Sequence, residues 1–373
     1  MVLRCGLARC VRIAFSAMNA QAAARKNNEN DNESAVPFRA CLLTWYDSHA
    51  RDLPWRKSRD PYRVWLSEIM LQQTRVAAVI GHYREFLRRF PTIENLAAAR
   101  ESSVLAAWSG LGYYRRARML HAAAKFVAGE LRGQFPRTAD GLKELPGIGR
   151  YTAAAVASIA FGEPAAVVDG NVERVLRRFF AGDLSQEEIW LAAGRLLDHS
   201  RPGDFNQAVM ELGATVCTPR APACMTCPVM ELCATRGERP PAQKLARQKK
   251  REIHFALARR NGSVFLTRRS HDARLMASMW ELPEICASRV RASMPGTAGN
   301  HSAEAKLFSP LFTLRHSITV TDYTVQVWHS ASSDAAVDAA EDEAGEWISV
   351  RRLPKLALTG LARKILRRAE ILS

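Results

Sequence analysis

LKELPGIGRYTAAAVASIAFG, residues 142–162, joins a short helical pattern to an alanine-rich one through Pro146-Gly147-Ile148-Gly149. Proline followed by two glycines in four residues demands a tight turn between the two helices. The glycines let the backbone approach a phosphate, and amides at the N-terminus of the second helix point outward. Most Gly-x-Gly turns are only turns. This one gains meaning from its neighbours.

Upstream, apolar residues recur at three and four, as in Phe38, Cys41, Leu42 and Trp45 and again in Val104, Leu105, Ala107 and Trp108. The pattern stays helical from about Val36 to Arg236, broken only by proline and glycine turns. Within it, PYRVWLSEIMLQQTRV (61–76) places Glu68 among Val64, Trp65, Leu71 and Gln72 at spacings that touch on a helix. A carboxylate so placed is poorly hydrated, which raises its pKa and lets it hold a proton near neutral pH. An ordinary solvated Glu is the bland alternative. Downstream of the hairpin, VVDGNVERV (167–175) sets Asp169 at a helix start, where it caps the helix and is held ionised by the helix amides.

Cys217, Cys224, Cys227 and Cys233 follow as Cys-x6-Cys-x2-Cys-x5-Cys among Pro219, Pro222 and Pro228. Four thiolates on a short, turn-rich loop suit an iron–sulfur cluster or zinc. Structural zinc takes its cysteines as two close pairs, and only Cys224 and Cys227 make one, so a single loop around a 4Fe-4S cluster fits better. The other cysteines are scattered and suggest no disulfide framework, which points to a reducing compartment.

RGERPPAQKLARQKKR (236–251) is proline-containing and basic, and reads as a linker. Beyond it the period changes to alternation. Strand patterns flank Asn261-Gly262, a strong hairpin signal. A phase slip at Asp322 suggests a bulge in a further strand, and 361–371 reads as a closing helix. The expected organisation is a polar N-terminal tail over 1–34, a helical core over 35–236, a linker over 237–252 and an α+β domain over 253–373.

A chain of 373 residues with 47% hydrophobic content has material for two or three cores, and its formal charge of +16 favours a polyanionic partner. No run is apolar for long enough to cross a bilayer. The first 28 residues hold five basic residues and no acid. A transit peptide, a later start at Met18 and a plain tail all fit that composition.

Together these residues resemble the helix–hairpin–helix family of DNA glycosylases, and within it the MutY-type adenine glycosylases. The motifs that carry the resemblance are LPWR (53–56), WLSEIMLQQTRV (65–76), GLGYYRRAR (110–118), LPGIGRYTA (145–153), VVDGNVERVL (167–176), FNQAVMELGA (205–214) and the cysteine loop. The resemblance implies a mainly α, two-lobed core with an iron–sulfur loop, its six-helix lobe spanning about 60–165 and its cluster lobe formed by 35–55 plus 166–236, followed by a Nudix-like α+β domain. It also implies a monomer that removes adenine from A:8-oxoguanine or A:G mispairs in double-stranded DNA and leaves an abasic site.

Glu68 would be the proton donor and Asp169 the stabiliser of the sugar cation, with Tyr151 and Asn171 hydrogen-bonded around Asp169. Trp55, Arg56, Leu71, Val76 and Gln207 would line the adenine pocket. Arg51, Gln73, Thr74, Tyr113, Gly147 and Gly149 would face DNA, with Gln73 and Tyr113 wedged into the base stack. The four cysteines would hold a 4Fe-4S cluster. Where lyase relatives carry a Lys after the hairpin this chain has Tyr151, so a Schiff base is not expected. Two other readings compete: an endonuclease III-type glycosylase and lyase of oxidised pyrimidines, and a non-catalytic iron–sulfur DNA-binding protein. The family's lesion-reading loop would fall within 314–322, at either Ile318-Thr319-Val320 or His316-Ser317. The expected location is the cytoplasm, associated with the nucleoid, if the chain is bacterial, or a mitochondrion if the arginine-rich start is a transit peptide.

Overall fold

A computed structural model of the chain describes residues 30–236, 249–273, 275–286, 308–318, 321–330 and 345–372. The basic linker expected at 237–248 and most of the N-terminal tail lie outside the described residues. Contacts divide the chain into two units, one of Met1–Glu68 with Phe135–Pro241 and one of Ile69–Gln134 with Ala242–Ser373. The seams fall inside the expected six-helix lobe and not at its ends.

The first unit is helical. Helix α1 (Asn30–His49) already includes 30–34, which polar composition had assigned to the tail. A helix nucleated on Phe38 and Leu42 extends backward at little cost per residue. Phe38, Leu42, Val172, Leu176, Ile189, Phe205 and Leu212 close one buried core. They come from α1, α9 (Gly170–Phe179), α10 (Gln186–Leu196) and α11 (Pro202–Thr215).

Helix α8 (Arg150–Phe161) starts at Gly149 and ends at Gly162, whose φ of 74° supplies the left-handed cap. Its run from Ala153 to Ala157 is buried, and such small side chains admit close neighbours. Helix α11 comes so near that a Cβ on Gly203 would stand 2.7 Å from the Ser158 carbonyl oxygen. One on Gly213 would stand 2.7 Å from Asn171 Cβ. Buried Asn206 fastens the segment before α9. Its Oδ1 accepts from Val167 N at 3.2 Å, and its Nδ2 donates to Ala165 O at 2.8 Å and to Ser158 Oγ at 2.9 Å.

Helix α2 (Pro61–Leu71) spans the first seam. The second unit then contains α3 (Val76–Arg89), α4 (Ile93–Ala98), α5 (Glu101–Trp108) and α6 (Arg115–Gly129), packed around Phe86, Leu96, Trp108 and Leu120. Short helix α7 (Ala139–Lys143), in the first unit, leads into the hairpin turn.

The C-terminal part of the second unit is α+β. Strand β1 (Lys249–Leu257) pairs in parallel with β7 (Thr321–Ser330) and antiparallel with β5 (Glu284–Ile285), and β6 (Phe308–Ile318) completes the order β5-β1-β7-β6. The residues 249–252 assigned to the linker are therefore strand. A second sheet runs β2 (Arg259–Arg260), β3 (Ser263–Arg268), β4 (Trp280–Glu281), with β8 (Gly345–Ser349) also on β3. Asn261 and Gly262 make the expected hairpin, both with positive φ, at 48° and 70°. Helix α12 (Gly360–Arg368) buries Leu361, Ala362, Ile365 and Leu366.

Two expectations for this region are corrected. Asp322 does not sit in a bulge: it pairs with Ser317 in regular register, and the register shifts between Pro310 and Phe312 instead. The slip in alternation at Asp322 is the change of strand from β6 to β7. For the same reason His316 and Ser317 lie in β6, opposite Tyr323 and Asp322, and not in a loop. Thr319 and Val320 are outside the described residues.

Within the second unit the α+β part is bolted to α5 and α6. Ser109 Oγ and Tyr114 OH both donate to Leu358 O, at 2.9 and 3.1 Å, and Arg363 Nε donates to Ser109 Oγ at 3.0 Å.

Candidate active site

Glu68 lies on the apolar face of α2 with only 5% of its surface exposed, between Trp65 and Ile69, which are as deeply buried. Its Oε2 accepts a 2.6 Å hydrogen bond from Tyr151 OH, whose oxygen is also 3.4 Å from Met210 Sδ. Burial raises the Glu68 carboxyl from 4.5 to about 7. Tyr151 opposes the rise by donating to the ionised oxygen, Asp169 adds to it by charge repulsion, and Arg56 subtracts again. Burial first, then the charges of Glu68 and Asp169, hold the Tyr151 phenol well above its usual range. Both groups sense Asp169, so the acid, the phenol and the anion share one electrostatic environment.

Asp169 caps α9. Its Oδ1 accepts from Asn171 N at 2.9 Å and Val172 N at 2.8 Å, and its Oδ2 accepts from Asn171 Nδ2 at 2.9 Å. Three donors, two of them helix amides, fix the orientation of the carboxyl group. One expectation needs correction. Asn171 does hold Asp169, but the Tyr151 hydroxyl donates to Glu68. Its position on the first turn of α8 points the ring at α2.

Two arginines of helix α9 reach the cysteine loop. Arg174 Nη2 donates to Asn171 Oδ1 at 2.8 Å and to Gly213 O at 2.6 Å, and its Nε donates to Cys217 O at 2.8 Å. One turn on, buried Arg178 donates from Nη1 to Cys217 Sγ at 3.3 Å and to Thr218 O at 2.8 Å. Cys233 Sγ in turn lies 3.6 Å from Arg178 O.

The four thiols form one electrostatic group. Burial, then Cys217 and Cys233, raise the Cys224 thiol. Burial lifts the Cys227 thiol to about 11, with the other three cysteines adding to the rise. Among the described residues no three His, Cys, Asp or Glu side chains are grouped to hold a single metal ion. Four mutually repelling thiols fit a cationic centre that would overcome this repulsion, with Arg178 donating to the Cys217 sulfur from behind.

Arg51 and Arg56, expected at the DNA backbone and the adenine pocket, converge on Glu211, which is 1% exposed. Arg51 Nε and Nη2 reach its two oxygens at 2.6 and 2.8 Å, and Arg56 Nη2 reaches Oε2 at 2.8 Å. Burial works to raise the Glu211 carboxyl, but the two guanidiniums bring it down to about 2. Trp55 is buried beside Arg56 in a short 3-10 turn, and Gln207 is half-buried on α11. Gly147, with φ of 75°, and Gly149 form an exposed turn before α8.

In the second unit Leu71, Thr74 and Val76 are half-buried, while Gln73 and Tyr113 are exposed. Both exposed residues have left-handed backbone, at φ of 55° and 47°.

Sequence reasoning missed Glu211, Arg174, Arg178, Asn206 and Arg116. Their partners are distant in sequence or are backbone carbonyls, which no local spacing reveals. For all but Arg178 the one available signal was a place inside the motifs already quoted.

Residues 66–193 match the model of the HhH-GPD superfamily base excision DNA repair protein. Residues 217–233 match the iron–sulfur binding domain of endonuclease III, so the cysteine loop is a domain of that type. The chain is 50% identical over 231 residues to the adenine DNA glycosylase of Homo sapiens, covering 58% of this chain and 42% of that protein. It is 31% identical over 259 residues to the adenine DNA glycosylase of Buchnera aphidicola subsp. Acyrthosiphon pisum, covering 66% and 74%. The chain thus spans less than half the length of the human protein. Among solved structures a thermostable thymine-DNA glycosylase aligns with a TM-score of 0.52 at 33% identity, over 55% of this chain and 97% of that one.

Proposed function

We propose that this chain, which belongs to the MutY-type adenine DNA glycosylases of the helix–hairpin–helix base-excision superfamily, hydrolyses the N-glycosidic bond of adenine mispaired with 8-oxoguanine or guanine in double-stranded DNA. The observation that carries the reading is Glu68: a buried carboxyl at about 7, hydrogen-bonded to Tyr151 and repelled by Asp169.

At neutral pH a large share of Glu68 is protonated. It then serves as general acid toward the purine nitrogen of an extruded adenine, which turns a poor leaving group into a neutral one. Asp169, held in place by its amide donors, steadies the oxocarbenium-like sugar. Glu68, now ionised, accepts a proton from the attacking water. Tyr151 keeps the acid oriented and dry. With Tyr151 where a Schiff-base lysine would stand, strand cleavage is not part of the reaction.

Cys217, Cys224, Cys227 and Cys233 would hold the iron–sulfur cluster. When bound it supplies a rigid cross-link for the loop, since hydrolysis moves no electrons. Arg174 and Arg178 carry that rigidity to Asp169 through α9. The α+β part we take as a Nudix-like reader of the base opposite adenine. The sequence after Pro283 has no Gly-x5-Glu-x7-Arg-Glu-x2-Glu-Glu box to gather Mg²⁺, so it should not hydrolyse nucleotides. The formal charge of +16 suits the phosphate backbone.

The test is a glycosylase assay on duplexes with adenine opposite each of several bases. Release of free adenine, with strand scission only after alkali, supports the proposal. Scission without alkali, trapped by borohydride as a covalent adduct, would replace it with a lyase.

A further inference from the structure

Arg116, on the first turn of α6, has a half-buried guanidinium that donates almost entirely to backbone. Nη1 donates to the carbonyls of Ile69 at 2.7 Å, Met70 at 3.2 Å and Gln72. Nη2 donates to Leu111 O at 3.2 Å, Gly112 O at 3.4 Å and Thr74 Oγ1 at 3.2 Å. The first set are carbonyls at the C-terminal end of α2 and just past it, where the helix dipole favours a cation. The second set belongs mostly to the loop between α5 and α6. One side chain therefore ties two separate loops together. Burial lowers its pKa to about 10, so the charge is held against a desolvation cost.

Each tied loop presents one residue of the same unusual kind. Gln73 and Tyr113 both have left-handed backbone, which a non-glycine residue adopts at a cost of roughly 1–2 kcal/mol. Neither is compensated by burying its side chain, for Gln73 is exposed and Tyr113 is 49% exposed. The guanidinium also lies 5.5 Å from the Tyr113 ring centroid and 5.5 Å from that of Trp108, so it braces the aromatic ring directly. A strained amide and a strained phenol, held outward by a common anchor, suit a partner made of stacked planes and hydrogen-bonding edges. Duplex bases are such a partner.

We propose that Arg116 is a positioning residue that sets Gln73 and Tyr113 in fixed register with each other, so that both enter the base stack together when adenine leaves it. The proposal rests on the reading of the chain as a base-extruding glycosylase. Arg116 acts before chemistry, on extrusion, and touches no reacting atom.

Arg116→Lys keeps the charge but loses the planar fork that reaches six acceptors. On a mispaired duplex it should slow single-turnover adenine release by about ten- to a hundredfold. On the same strand with adenine in a premelted bubble it should keep most of the parent rate. With 2-aminopurine in place of adenine, the fluorescence rise on binding should be lost. In a Gln73→Ala/Tyr113→Ala background the lysine should add no further loss. Arg116→Met serves as a second variant, and a thermal melt of each identifies any that fails to fold. Equal loss on duplex and bubble, an intact fluorescence rise, or full additivity with the alanine pair would overturn the assignment. A parent that releases no adenine from any duplex overturns the proposed activity instead, and the fluorescence arm still decides the role of Arg116.

Discussion

Glu68 and Glu211 are buried to nearly the same depth in the same unit, at 5% and 1% exposure, yet one carboxyl sits at about 7 and the other at about 2. Burial pushes both upward. What separates them is the partner. Glu68 meets a neutral hydroxyl and a second carboxylate, whereas Glu211 meets two guanidiniums in hydrogen-bond contact. Depth makes a carboxyl sensitive, and the neighbours decide its sign. Arg56 connects the two, since it is bonded to Glu211 and its charge also reaches Glu68.

The strongest attempt to break this contrast is Glu68→Gln, which keeps the shape and removes the proton. Single-turnover adenine release should fall by about 10²–10⁴-fold, the usual worth of a general acid. Next comes Glu211→Ala, which leaves two guanidiniums without their carboxylate. Removing one side of a buried pair costs about 3 kcal/mol, read as a lower denaturant midpoint, and the partial exposure of Arg51 keeps the loss near that lower figure. The same change frees the charge of Arg56 to act on Glu68. The alkaline limb of the rate profile should move to lower pH.

Stability against pH sharpens the comparison, because the two carboxyls act with opposite sign. The folded Glu68 carboxyl is raised, so its contribution is whole below the unfolded value near 4.5 and is lost as pH rises to about 7. Glu211 is depressed, so its contribution is whole above 4.5 and is lost as pH falls toward 2. Glu68→Gln should therefore be more stable than the parent at pH 8, by on the order of 3 kcal/mol at most, and no more stable at pH 4. Urea unfolding at both pH values checks this. An inactive variant with the parent's stability at pH 8 would mean that Glu68 is not desolvated.

The smallest expected effect is that of Tyr151→Phe. Its hydroxyl favours the ionised form of Glu68, so losing it should move the alkaline limb to higher pH by under about one pH unit. A shift in the other direction would reverse the role given to Tyr151.

The contrast was half legible in the sequence. Glu68 could be found because a helix repeat brings Val64, Trp65 and Leu71 against it, and that spacing is local. Glu211 could not, because its partners Arg51 and Arg56 precede it by more than 150 residues. That Tyr151 donates to Glu68 and not to Asp169 is hidden for a similar reason, as nothing across a separation of 83 residues says which acid its ring will face. Asp169 as a helix cap was readable, since capping is written in adjacent residues. In the α+β part the hairpin at Asn261-Gly262 was clear from its turn chemistry. The junction between β6 and β7 was mistaken for a bulge because both disturb alternation in the same way.

The first unit is discontinuous, and its core joins Phe38 and Leu42 on α1 to Ile189, Phe205 and Leu212 far downstream. During synthesis α1 leaves the ribosome long before α10 and α11 exist to cover it. Its apolar stripe must wait while all of 69–134 is made, which is the time when a chaperone has most to grip. Folding of the surroundings of the Glu68 carboxyl is then a late event, reached only after the cysteine loop's own helix neighbours have emerged.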